Sequence, residues 1–216
     1  MKARIFRENG RKVQRVMLTP VSPDIKGLIF DCDGTLADTM PVHIAAWRDT
    51  FAAHGITCPA DFIHGVKGMP AENIVAIFNR RYNHQIDAAA FAAEKNRRAR
   101  ERLATAVPID PVVDIVRRYR GILPMAVASG GTRDNVTLTL AVLGLTDCFE
   151  TIITADDPVK PKPNPDIMLQ AARRMRVEPA YCQVFEDGDA GLEAARKAGM
   201  VATDIRLFVG PSVRGN

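Results

Sequence analysis

Two aspartates one residue apart follow the apolar run Leu28, Ile29, Phe30, in the order Asp31, Cys32, Asp33, Gly34, Thr35. Side chains alternate along an extended chain, so Asp31 and Asp33 emerge on one side at the carboxyl end of a strand, where open α/β sheets bind ligands. Two carboxylates this close repel and perturb each other's pKa unless a cation lies between them. The pattern therefore asks for Mg²⁺, a hard cation content with few carboxylates plus phosphate oxygens. One carboxylate can then attack phosphorus while the other handles the proton. The competing reading is a polar turn whose aspartates cap a helix.

Three further groups stand where strands end. Ser129, Gly130, Gly131 and Thr132 follow the apolar Met125–Ala128 and offer a hydroxyl plus exposed N–H groups that can cradle phosphate at a helix start, or make an ordinary strand-to-helix turn. Lys160 and Lys162 lie in the proline-stiffened Lys-Pro-Lys-Pro-Asn-Pro-Asp segment, which can hold an ammonium over a phosphoryl group or carry solvated lysines. Glu186 and Asp187, after Tyr181–Phe185, are metal-ligand candidates that also suit helix capping. Joint occurrence at four strand ends is far harder to obtain by coincidence than any one of them.

The elements that must position these residues are short apolar runs alternating with helical patterns. Runs at 27–30, 122–128, 149–153, 181–185 and 200–205 are strand-length and do not alternate polar with apolar, as expected for strands buried on both faces of a parallel sheet. Helices are expected over 111–120, 132–143, 165–176 and 188–198, three of them stopping at Gly121, Gly144 and Gly199. This rhythm predicts an α/β fold with a doubly wound parallel sheet of Rossmann-like order. Residues 38–108 break it, reading as helices over 41–54 and 71–82 and a third after Asp87, with no convincing strand. The expected organisation is a basic, flexible leader over 1–25, a core over 26–37 and 109–216, and a helical cap over 38–108.

The chain has 216 residues, 47% hydrophobic and 25% charged, ordinary globular usage that excludes a disordered or fibrous chain. Its net charge of +4 comes from the first 26 residues, which hold seven basic residues and two acidic ones and leave 22 basic against 23 acidic in the body. The basic balance is thus no argument for nucleic-acid binding by the body. Cys32, Cys58, Cys148 and Cys182 show no Cys-x-x-Cys pair and no zinc spacing, which suggests reduced thiols in a cytosol. No stretch reaches the ~18 apolar residues of a membrane span, so a cytoplasmic chain with no membrane partner is expected.

The segments FDCDGT, ASG, KPKPNPD and FEDGDAG, in this order, resemble the four motifs of the haloacid dehalogenase superfamily over roughly residues 26 to 208. The helical insert resembles the small cap of its beta-phosphoglucomutase-like branch. Within that branch PMAVASGG, CFETIITADD and AGMVATDIRLF look most like phosphatases of fructose 1-phosphate and related esters. The resemblance implies Asp31 as nucleophile, forming an aspartyl-phosphate, and Asp33 as general acid and base. It implies Mg²⁺ on Asp31, the backbone carbonyl of Asp33, Asp187 and Glu186, with Ser129 and Lys162 on the transferring phosphoryl group. Gly130 and Gly131 complete the phosphate cradle, and Thr35 lies near the hinge on which the cap would close.

Substrate choice is expected from the cap, where His43, Trp47, Lys67, Lys95 and Asn96 match pocket-lining positions of the branch. Trp47 has an alternative as core, and Lys95 and Asn96 as a solvated helix face. The mutases of the branch carry an arginine in the cap loop to hold a second phosphate, and Ala71 stands at that position here. The leading expectation is a phosphatase acting on a small phosphate ester, with no nucleic acid, as a monomer or weak homodimer. A beta-phosphoglucomutase-type phosphotransferase, with Arg133 partly replacing the arginine, is the alternative. A catalytically silent phospho-ligand binding protein is the alternative of another class, disfavoured because every residue needed for turnover is present.

Overall fold

The structure, a computed structural model, describes residues 3–8, 11–16, 21–66 and 68–208. Its centre is a five-stranded parallel sheet in the order β7-β6-β3-β8-β9, formed by β3 (Gly27–Phe30), β6 (Met125–Ala128), β7 (Thr151–Ile153), β8 (Cys182–Glu186) and β9 (Val201–Asp204). Phe30 pairs with Val127 on one side and Phe185 on the other, so β3, which leads directly into Asp31, is the central strand. All four residues of β3 and of β6 are buried, which explains why these runs carry no polar alternation.

Successive strand residues feed two different cores. Leu28 and Phe30 of β3, with Met125 and Val127 of β6, pack under α5 (Asp110–Tyr119) and α6 (Arg133–Val142), through Val112, Val116, Val136 and Leu140. Ile29, Ala126, Ala128 and Val184 face the opposite layer, under α7 (Asp166–Met175) and α8 (Asp189–Lys197), through Met168, Ala171, Ala194 and Ala195. Phe30 stacks on Phe185 with centroids 5.0 Å apart and meets Phe149 edge-on at 5.9 Å. Helices on both faces of a parallel sheet are the doubly wound architecture the sequence predicts. The strand expected from Ile122 begins only at Met125: Ile122 is 69% exposed, and Pro124 has no N–H to give to a ladder.

The insert is a separate helical layer with its own core. Its helices are α1 (Met40–Ala53), α2 (Ala60–Gly65), α3 (Ala71–Tyr82) and α4 (Ala88–Arg100). Trp47, Phe51, Phe62, Phe78 and Phe91 form a buried aromatic cluster among them. The Asp87 carboxylate accepts from the Ala90 N–H at 3.1 Å and caps α4, as its position suggests. Helix α2 has no counterpart in the periodicity, because six residues are too few to show a period. The region is not strandless either. The two chain crossings between cap and core pair as β4 (Ala37–Asp38) and β5 (Val107–Pro108), antiparallel, with Ala37 opposite Pro108. Two adjacent linkers satisfy each other's backbone groups this way, and the Ile109 N–H adds a bond to the Leu36 carbonyl at 2.9 Å.

Within the leader β1 (Ala3–Glu8) pairs antiparallel with β2 (Arg11–Val16), with Glu8 opposite Arg11.

Candidate active site

The carboxyl end of β3 delivers Asp31 to the centre of the sheet, 3% exposed. The chain then turns tightly, with the N–H groups of Leu36 and Ala37 bonded to the Cys32 carbonyl at 2.9 and 3.1 Å. Gly34 permits the turn through φ +89°, and a Cβ there would collide with the Asp187 carboxylate. Cys32 points into the core with burial pushing its thiol well above the usual range, so it stays a protonated apolar group beside the aspartates.

Behind Asp31 stands a buried cation. The Lys162 ammonium donates to Asp31 Oδ1 at 2.6 Å and to Glu186 Oε2 at 2.7 Å. Burial works to lower the Lys162 pKa, but the two carboxylates outweigh it and hold it above its ordinary value. Burial first, then neighbouring negative charge, pushes Asp31 up to about 6 and Glu186 up to about 7, with Lys162 opposing both. Glu186 Oε1 accepts from the N–H groups of Asp187 and Gly188 at 3.1 and 2.9 Å. Gly191 faces the other Glu186 oxygen so closely that no Cβ fits. Thr35 donates its hydroxyl to Asp187 Oδ1 at 3.1 Å. Asp31, Glu186 and Asp187 each bring one oxygen within 4.8 Å of the others. Three crowded carboxylates, two of them (Asp31 and Glu186) with pKa values pushed up by burial, and a donor set made only of oxygens fit a hard divalent cation.

On the cap side of Asp31, Asp33 meets a chain of polar groups. The Thr39 hydroxyl donates to Asp33 Oδ1 at 2.6 Å, and His43 Nε2 lies 3.0 Å from the same oxygen. Lys95 Nζ sits 3.0 Å from His43 Nδ1 and 5.2 Å above the Trp47 ring. With Lys95 donating to Nδ1, the Nε2 N–H is left to donate to Asp33, which fixes the imidazole tautomer. Burial would raise the Asp33 pKa, but His43, Thr39 and Lys95 outweigh it and hold the carboxyl well below its usual range. Burial lowers Lys95 to about 8, against the pull of Asp33.

The third wall is the loop after β6. Ser129 Oγ accepts from the Gly131 N–H at 3.0 Å, and Gly131 approaches Asp33 so that a Cβ would lie 3.2 Å from its carboxylate. Gly130 meets the cap: a Cβ there would overlap the carbonyl of Gly68. The cap is thus seated on the loop, and between them lies a cavity of about 70 Å³ with Asp31, Asp33 and Ser129 in its walls.

Residues 25–199 match the haloacid dehalogenase-like hydrolase family. The chain belongs to this family. It is 40% identical over 182 residues to a fructose-1-phosphate phosphatase of Escherichia coli, covering 84% of this chain and 97% of that one. Among solved structures it resembles a hydrolase from Pseudomonas syringae, with TM-score 0.77 and 25% identity over 83% of this chain and 84% of that one. It also resembles a beta-phosphoglucomutase from Clostridium difficile, with TM-score 0.72 and 26% identity over 83% and 84%.

In this haloacid dehalogenase-like hydrolase, most of the residues singled out in the sequence converge. Asp31, Asp33, His43, Trp47, Lys95, Asn96, Ser129, Gly130 and Gly131 line the cavity. Lys162, Glu186 and Asp187 stand behind Asp31, with Thr35 holding Asp187. Trp47 serves both readings, since it also stacks on Phe51 and Phe91 in the cap core. Lys95 is buried rather than on a solvated face. Lys67 lies outside the described residues. Arg133 does not line this cavity: its guanidinium donates to the half-buried Asp157 carboxylate at 2.6 Å and to the Ile152 carbonyl at 3.2 Å. Thr39 and Asn135 were not singled out. Thr39 sits at the start of α1 where a hydroxyl looks like an ordinary cap, and Asn135 carries no local signal until α6 meets α4, where its amide donates to the Asn96 carbonyl at 3.3 Å.

Proposed function

We propose that this hydrolase removes phosphate from small sugar monophosphates through a phosphoaspartate at Asp31. The observation that carries the reading is the buried Asp31 carboxylate at the cavity wall, with cationic Lys162 behind it and Asp33 beside it. Asp31 forms a bond to phosphorus as the bond to the leaving sugar oxygen breaks, and Asp33 gives that oxygen a proton. Water then attacks the phosphoaspartate, its proton passes to Asp33, and phosphate leaves with Asp31 regenerated. The proton that Asp33 takes from water balances the one it gives to the leaving group. The His43–Lys95 chain favours ionised Asp33, the form needed to take a proton from water.

Mg²⁺ held by Asp31, Glu186, Asp187 and the carbonyl of Asp33 would neutralise charge on the phosphoryl oxygens. Ser129 and the backbone N–H of Gly130 would orient those oxygens. Transfer between two positions of one sugar is the weaker reading. A mutase must hold a second phosphate, and among the described residues Ala71 is neutral and Arg133 is committed to Asp157.

The test is phosphate release, with Mg²⁺ and with chelator, from fructose 1-phosphate, 6-phosphogluconate, glucose 6-phosphate and beta-glucose 1-phosphate. Mg²⁺-dependent release from one or a few of these is the expected result. Conversion of beta-glucose 1-phosphate to glucose 6-phosphate with little free phosphate would overturn it in favour of the mutase.

A further inference from the structure

Three successive residues after β7 each bind the loop that follows β6. The Ala155 N–H donates to the Gly131 carbonyl at 3.0 Å, Asp156 Oδ2 accepts from the Arg133 N–H at 2.8 Å, and Asp157 Oδ2 accepts from the Arg133 guanidinium at 2.6 Å. The same Asp157 oxygen takes the Thr154 N–H at 2.9 Å, and its other oxygen takes the Arg174 guanidinium at 3.0 Å. Burial would raise the Asp157 pKa, but the Thr154 N–H and the two guanidiniums outweigh it and hold the carboxyl below its usual value. Hydrogen bonds between ionised partners are the strong ones, so this carboxylate is a firm joint.

The two loops it joins are those that carry Ser129 and Lys162. From Asp157 the chain runs through Pro158 and Pro161 to Lys162, then through Pro163 and Pro165 into α7. Each proline fixes φ and gives no N–H, and the N–H groups of Val159 and Asn164 bond to the carbonyls of Asp157 and Pro161, within the loop itself. Such a segment is stiff, and its place is set at its ends. Arg174 comes from the last turn of α7, so Asp157 ties the start of the loop to the helix at its end while Arg133 ties it to the Ser129 loop. Asp157 is not among the residues lining the catalytic cavity, so any effect it has on the reaction passes through others.

Resting on the phosphatase reading, we infer that Asp157 is a positioning residue for phosphoryl transfer, acting with Arg133 and Arg174 to hold Ser129 and Lys162 in fixed relation around the phosphoryl group. The experiment measures steady-state kinetics on the sugar phosphate turned over fastest, and inhibition by orthovanadate, which takes the five-coordinate shape of the transferring group, in the parent, Asp157→Asn, Arg133→Gln and the double variant. In each single variant kcat falls ~10- to 100-fold while KM stays within ~3-fold, and the vanadate inhibition constant rises at least ~10-fold, because the geometry of transfer is lost rather than the grip on the ester. The double variant stays within ~3-fold of the worse single one, since the pair acts as a unit. The Arg133 side chain is 43% exposed, so Arg133→Gln carries the test if Asp157→Asn fails to fold. A role confined to folding would lower the active fraction and kcat but leave the vanadate constant at the parent's value. That result, or losses that multiply in the double variant, overturns this inference alone. A parent that releases phosphate from none of the four sugar phosphates overturns the phosphatase reading and this inference with it.

Discussion

Lys95 is a buried ammonium, 6% exposed, kept inside the cap for its contact with His43. Burial lowers its pKa from 10.5 to about 8, so at pH 7 it is charged in the native and the unfolded chain alike. The fall corresponds to about 3 kcal/mol of destabilisation while the charge persists. The sign follows from proton counts. Between about pH 8 and 10.5 the native chain binds fewer protons than the unfolded one, so native stability recovers as pH rises through that window. Lys95→Met keeps the length and removes the charge. It also forfeits the hydrogen bond to His43, worth about 1–2 kcal/mol, and a ring contact worth about 0.5–1 kcal/mol. The variant is therefore about 1 kcal/mol more stable at pH 7, and the difference reverses near pH 10. Activity moves the other way: without the donor on Nδ1 the imidazole no longer keeps its N–H on Asp33, and kcat falls ~10- to 100-fold. Urea unfolding of parent and variant at pH 7 and pH 10 measures both ends. A variant less stable at pH 7, or a difference that does not change with pH, would refute the assigned cost of burying this lysine.

Asp31→Asn removes the nucleophile, and phosphate release should fall at least ~10³-fold; wild-type turnover in a clean preparation would end the covalent mechanism. Gly130→Ala pushes a methyl group into the Gly68 carbonyl and holds the cap off the loop, so kcat/KM for the sugar ester drops ~10- to 100-fold. Steady-state kinetics beside a thermal melt separates that loss from unfolding, and an unchanged kcat/KM would show that this contact is no part of the working closed state. Gly191→Ala displaces Glu186 from its place behind Asp31 and raises the Mg²⁺ concentration for half-maximal activity by at least ~10-fold. A metal titration that superimposes on the parent's would remove Glu186 from the metal site.

What the sequence carries about this protein divides by the range of the interaction involved. Asp31 and Asp33 are legible because a strand fixes side-chain direction locally, and the buried run before them says where the strand ends. The cap helices are legible for a similar reason: Ile74 and Phe78 lie four residues apart on one face of α3, and Asp87 announces α4. Arg133 is different. Its position beside the phosphate loop is plain from the sequence, but its direction is set by Asp157, a partner 24 residues away in a turn that also receives Arg174 and the Thr154 N–H. A second cavity, of about 380 Å³, is further still from local signals, since it exists only where α4 and the first turn of α3 stand against the β6–α6 and β7–α7 loops. Catalytic groups at strand ends thus follow from short-range pattern, whereas the shape and charge of the space between cap and core follow from how the two meet.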